Sequence, residues 1–267
     1  VLSASLLAVL AALAAARCVR PRAETPRDAP PSSTLSGSAR QVGPARSANV
    51  ELAPRGSEAA LSAQVSERGG RLPKLCATQG LGTRLAGLIA VREPSNRFLV
   101  PGSSGQDARV AFVYRGPAAV QRALASGAVR EQLGLKLLAG DSCNVLYVMW
   151  RRAPKNELVV SVKRNPGQVR HSECGNSGYE NLRAERSVVL AELAPDSRHE
   201  LSARLQGGVL QVHLDGREVW FGSVAEPTRG LAGPAGFRSD NVELDLLDVQ
   251  ASPASSAALV PSNCREF

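Results

Sequence analysis

From residue 71 onward apolar and polar residues alternate in short runs, the period of a strand with one buried face. The runs are 108–116 (ARVAFVYRG), 131–139, 144–152, 157–164, 199–205, 209–215, 218–222 and 242–250. Glycine, proline, asparagine and aspartate separate them at short intervals, as turns between antiparallel strands do. A short helix is expected only near 118–125. Many short strands with Gly/Pro turns predict an all-β domain, a sandwich or a barrel.

Two tight turns allow a register to be written. If Gly207-Gly208 closes one hairpin, Leu201, Ala203 and Leu205 face Leu214, Val212 and Leu210. If Asp215-Gly216 closes the next, Val212 faces Val219 and Leu210 faces Phe221. Those residues then share one apolar face. The opposite face carries Ser202, Arg204, Gln211, His213, Glu218 and Trp220. In the hairpin turning at 153–156, Tyr147, Met149 and Arg151 would share a face with Leu158, Val160 and Val162. Both of its faces are apolar, which predicts a central hairpin covered by the segment 85–100.

The N-terminal quarter reads differently. Residues 2–16 are apolar or small, the length of a signal-peptide core rather than of a membrane span. Residues 1–17 are therefore expected to be a signal peptide, cleaved near Ala16. Cys18 raises lipidation, which ranks lower because Arg17 precedes it. Residues 18–70 are rich in Pro, Ser, Ala and Arg without strand or helix period, and are expected to be a disordered linker. The sandwich is expected over 71–252 and a C-terminal tail over 253–267. The protein is thus expected outside the cytoplasm: secreted, periplasmic or tethered to the envelope, touching membrane only through the leader or a lipidated Cys18.

The net charge of +8 raises nucleic acid as a partner, but the cations are scattered among acids and no basic run forms, so nucleic acid is not expected. Five cysteines leave four for the body, none in zinc-binding spacing. In an exported domain they read as two disulfides, with free thiols as the alternative. Of three pairings the sequence favours Cys143–Cys174, which flank a hairpin, and Cys76–Cys264, which would join the domain's ends.

The C-terminal stretch "HELSARLQGGVLQVHLDGREVWFGSV…GLAGPAGFRSDNVELDLLDVQ" resembles the laminin-G-like and 3-keto-disaccharide hydrolase (DUF1080) domains of the concanavalin A-like lectin/glucanase superfamily. The stretch around "CNVLYVMWR" is similar to secreted myxobacterial proteins. The resemblance implies the concanavalin A-like fold, an all-β two-sheet antiparallel jelly-roll sandwich; for function it spans lectins, glycosidases and adhesion modules. Glu243, Asp245 and Asp248 echo the Glu-x-Asp-x-x-Glu of glucanases, but the last position is Asp and strand alternation explains the string. His171, His199 and His213 show no ligand spacing. Asp240 and Asn241, with Asp215, could offer oxygens to calcium, or simply turn a corner; no other cofactor is expected. The favoured ligand surface is the face with Trp220, His213, Gln211, Arg204 and Ser202, where an indole stacks on a sugar ring and the polar groups bond its hydroxyls. The expected function is a non-catalytic module binding carbohydrate or an envelope or extracellular protein. The alternatives are a glycoside hydrolase or lyase, and a structural envelope protein.

Overall fold

The computed structural model describes residues 72–255 and 264–267; the expected leader, Cys18 and the linker lie outside the described residues. The first sheet runs, edge to edge, β16 (Arg265–Glu266), β1 (Cys76–Gln79), β4 (Ser95–Leu99), β14 (Gly236–Asp240), β6 (Glu131–Leu137), β7 (Val145–Ala153), β8 (Glu157–Lys163) and β9 (Tyr179–Asn181). The second runs β10 (Arg186–Ser187), β13 (Arg217–Ser223), β12 (Val209–Leu214), β11 (Arg198–Gln206), β5 (Asp107–Pro117), β15 (Val242–Gln250), β3 (Leu88–Val91) and β2 (Gly82–Leu85). Every ladder is antiparallel. The edge strands are the short ones, which limits the open backbone offered to other chains.

Alternation places Phe98, Phe237, Leu133, Leu135, Val148 and Trp150 of the first sheet against Val110, Phe112, Leu201, Leu210, Val212 and Leu244 of the second. Each such side chain contributes about 1.5–3 kcal/mol on burial. The result is a two-sheet antiparallel jelly-roll sandwich, the fold class expected. The disulfides are Cys143–Cys174 and Cys76–Cys264, with Cα atoms 5.9 and 5.2 Å apart. The second joins β1 to the chain's last residues, where β16 pairs with β1 and Phe267 packs edge-on to Phe98 at 4.9 Å.

Four expectations need correction. Gly207-Gly208 and Asp215-Gly216 do close the two hairpins, with left-handed φ at all four residues. The β11–β12 register is the expected one. In β12–β13, however, the ladder shifts between Val212 and His213, so Val212 faces Trp220 rather than Val219. Val219 and Trp220 both turn inward, and Phe221 takes the outer position under Arg186, whose guanidinium lies 3.7 Å from its ring.

The β7–β8 register also moves by one residue. Arg151 pairs with Glu157, so the connection spans five residues instead of four, and Tyr147, Met149 and Arg151 share a face with Ser161, Val159 and Glu157. The segment 85–100 does not cover this hairpin; it supplies β3 to one sheet and β4 to the other. No helix forms at 118–125. Asn241 holds that stretch as a loop, accepting from the Arg122 N–H at 2.7 Å and donating to the Arg122 and Arg130 carbonyls. The described helix is α1 (His171–Cys174).

Candidate functional site

The outer face of the first sheet forms the floor of an open cleft of about 1300 Å³. The paired strands set its side chains in rows. One row runs Ser95, Asp240, Gln132, Arg151 across β4, β14, β6 and β7. The next runs Arg97, Arg238, Gly134, Met149, and the third runs Leu99, Gly236, Lys136, Tyr147, Ser161, Asn181. Gly134 presents no side chain beside Arg238, whereas Gly236, beside Lys136, is overlain by the Leu99 side chain. A Cβ on Gly134 would lie 2.0 Å from the Val148 carbonyl oxygen, so the close approach of β6 and β7 requires glycine there.

Asp240 is the electrostatic centre of the floor. It is 1% exposed. One carboxylate oxygen accepts from Arg97 at 2.7 Å; the other accepts from Arg238 at 2.8 Å and from Gln132 at 2.7 Å. Burial pushes its carboxyl up, but Arg238 and Arg97, with these hydrogen bonds, hold it below the usual carboxylate range. The Arg238 guanidinium also lies 4.9 Å from the Tyr147 ring, which stacks at 6.2 Å on Tyr179. Tyr179, on the edge strand β9, is 47% exposed.

The walls are loops with dedicated anchors. Asn241 fixes the loop 118–130. Cys143–Cys174 ties the 139–144 loop to α1, and buried Lys163 donates to the carbonyls of Ser142 at 3.1 Å and Gly175 at 2.7 Å. Asn165 adds hydrogen bonds to the carbonyls of Cys143 and Ser177. The cleft is therefore a surface held in shape by covalent and buried polar links.

The sequence placed the ligand surface elsewhere. Ser202, Arg204, Gln211 and His213 do share the outer face of β11 and β12, and they are exposed or half-buried. Trp220 does not join them: the β12–β13 bulge turns it into the core, where it is 3% exposed. It cannot stack on a sugar at the surface.

Asp240 and Asn241 do not fit a calcium site. Both Asp240 oxygens are engaged by cations and Gln132, the Asn241 oxygen accepts from Arg122, and Asp215 lies on the other sheet, bonded to His199. Among the described residues no three His, Cys, Asp or Glu side chains gather as a metal site.

In the glucanase-like string, Asp245 is enclosed by Arg92 and Arg115, and Glu243 also faces Arg92. His199 bridges Asp215 at 2.7 Å and Ser197 at 2.9 Å, while the Ser197 hydroxyl donates to the Ala194 carbonyl, closing its own turn.

The cleft residues Arg97, Gln132, Lys136, Tyr147, Tyr179 and Arg238 were missed by sequence reasoning. One signal was present: Gln132 and Lys136 are polar residues at alternate positions of a strand otherwise apolar. The one-residue error in the β7–β8 register hid their row.

No family model matches the chain, and no curated protein does. Among solved structures it is similar to the carbohydrate-binding module CBM66 from Bacillus subtilis, at 10% identity and TM-score 0.48, covering 67% of this chain and 95% of that one. It is also similar to a point mutant of the Emp46p carbohydrate recognition domain, at 12% and 0.42, covering 67% and 86%. A tetrameric galectin from the ball sponge Cinachyrella sp. matches at 12% and 0.36, covering 60% and 99%.

Proposed function

We propose that this protein is a non-catalytic, extracytoplasmic carbohydrate-binding module whose ligand lies in the cleft on the first sheet. The observation that carries this is the composition of the floor. Two tyrosine rings sit beside planar, multiply donating side chains, Arg97, Arg151, Arg238 and Gln132, in a cleft whose walls are fixed in advance. Sugars present apolar ring faces and fans of hydroxyls, which such a floor matches. Pre-anchored walls lower the ordering cost of binding.

The carboxylates in the cleft favour a binder over a hydrolase. Asp240 is saturated by its cations, and Asp141 accepts from the Cys143 N–H and from Asn144. Neither is free to act as nucleophile or acid/base, and glycoside hydrolysis uses a pair that is. The two disulfides suit an oxidising compartment, which supports export.

The test is a glycan array probed with the full chain, its Tyr179→Ala variant and its Gln211→Ala variant. At least one glycan should be retained by the wild type and by Gln211→Ala, and bound tenfold or more weakly by Tyr179→Ala. Retention of no glycan, or loss with Gln211→Ala while Tyr179→Ala binds normally, would overturn the proposal.

A further inference from the structure

Resting on the carbohydrate reading of the cleft, we propose that its ligand is an acidic saccharide, with a carboxylate or sulfate on the sugar seated against Lys136 and flanked by Arg97 and Arg238. Six arginines and two lysines line the cleft against two acids, Asp141 and Asp240. The acids are already spent. Asp240 neutralises Arg97 and Arg238 together, and Asp141 is held by its own loop. Arg151 is paired with Glu157, and Lys163 is committed to two carbonyls.

Lys136 has no such arrangement. It rises from β6 at the middle of the floor, is 6% exposed, and among the described residues its ammonium has no hydrogen-bond or ion-pair partner. A largely buried lysine that lines an open cleft without a protein partner is placed to meet an anion from solvent. Its cross-strand neighbour Gly236 on β14 is overlain by the Leu99 side chain, and an anionic group reaches Lys136 from the open cleft that it lines.

Arg97 from β4, Arg238 from β14 and Asp141 from the loop after β6 act on it and Tyr147 of β7 pairs with it, while Asp240, Lys163 and Tyr179 line the same cleft. Burial first, then Arg97 and Arg238, push the Lys136 ammonium down to about 7, against the pull of Asp141. An anion bound there favours the charged form. Binding should therefore take up a proton above neutrality and weaken as pH rises from 7 to 9.

Recognition of a sugar carrying the charge, rather than of charge alone, follows from where Lys136 sits. It is in the same row as Tyr147 and Ser161, so an anion on it places the attached ring beside the tyrosines. Asn181 extends that row to the exposed edge.

The experiment is calorimetry with the full chain against glycans in matched sets: a uronic-acid oligosaccharide, its carboxyl-reduced neutral counterpart, and a sulfated form of that counterpart. Poly-L-glutamate serves as an anion without sugar rings. We expect the uronate or the sulfated form to bind tenfold or more tightly than the neutral oligosaccharide. Lys136→Met should remove that preference without lowering the melting temperature. Lys136→Arg should keep the preference and flatten its pH dependence.

A second readout uses ¹³C-lysine labelling. The chain has only four lysines, so the Lys136 signal can be assigned by substitution, and its titration should move upward in the acidic complex. Equal binding of neutral and acidic forms, unaffected by Lys136→Met, overturns the acidic ligand and leaves the carbohydrate reading standing. Poly-L-glutamate bound as tightly as the uronate overturns it in favour of bare charge. Binding of no saccharide overturns both.

Discussion

The two outer faces of the sandwich handle charge in opposite ways. On the second sheet the cations either meet an acid or stand exposed to solvent, as Arg198, Arg204 and Arg217 do. Arg115 pairs with Asp245 and Asp196 at 2.7 Å each, Arg109 with Glu200, and Arg186 with Glu218 at 3.1 Å. Most of these groups are half exposed, where an ion pair is worth about 0–1 kcal/mol. The charges of that face are solvated. In the cleft on the first sheet the cations outnumber the acids, several are buried, and Lys136 has no partner among the described residues. A face that gives up stability to hold uncompensated charge is organised for something that arrives later. The difference is what distinguishes the proposed site from the opposite face.

The largest expected effect comes from removing the acid that makes the first face tolerable. Asp240→Asn leaves the Arg97 and Arg238 guanidiniums buried and facing each other. It should cost about 3–5 kcal/mol by urea unfolding. The same carboxyl gives a pH signature. Its folded value lies below the unfolded one near 4, so its stabilisation is present above about pH 4 and is lost as pH falls through the lowered value. Asp240→Asn should flatten that part of the acid-unfolding curve.

Next is the wall. Replacing both Cys143 and Cys174 with serine opens a loop of separation 31, which costs about 3–4 kcal/mol on the chain-entropy model. It should also weaken glycan binding by releasing the 139–144 loop.

Lys136→Met should act in the other direction. In the folded protein its ammonium is lowered to about 7, while in the unfolded chain it stays near 10.5. Its cost is therefore fully present below pH 7 and is relieved as pH rises toward 10. The substitution should gain on the order of a few kcal/mol at pH 6 and almost nothing at pH 10, from the usual 1.36 kcal/mol per pKa unit. Paired urea melts of wild type and variant at the two pH values check this.

The smallest effect belongs to the second face. Glu200→Gln, which frees Arg109, should change stability by less than about 0.5 kcal/mol and leave glycan binding unaltered. A large effect there would break the contrast between the faces.

Much of the fold was legible because period-two alternation is local. The strand runs at 108–116, 131–139 and 242–250 are present in the sheets, as are both glycine turns and the β11–β12 register. Both disulfide pairs were readable from spacing and compartment. The short strands β1, β2, β9, β10 and β16 gave no signal, since two to four residues show no period. The Gly-Phe-Arg-Ser-Asp stretch read as a corner and is β14 at the centre of the first sheet. Its arginine and aspartate looked like surface residues because nothing local showed that they neutralise each other and Arg97 out of water.

The expected site failed for a related reason. The run Val219-Trp220-Phe221 fits alternation in two registers, and one extra residue in the ladder decides which aromatic faces out. A five-residue rather than four-residue turn did the same to the tyrosine row of β7. The sequence by itself determined that this chain builds an all-β sandwich with two disulfides, because alternation, turn chemistry and cysteine spacing act over a few residues. Only the tertiary structure decided which face carries the cleft. Arg97, Lys136, Arg238 and Asp240 come from three strands far apart in sequence, and no local pattern shows that they meet on one floor.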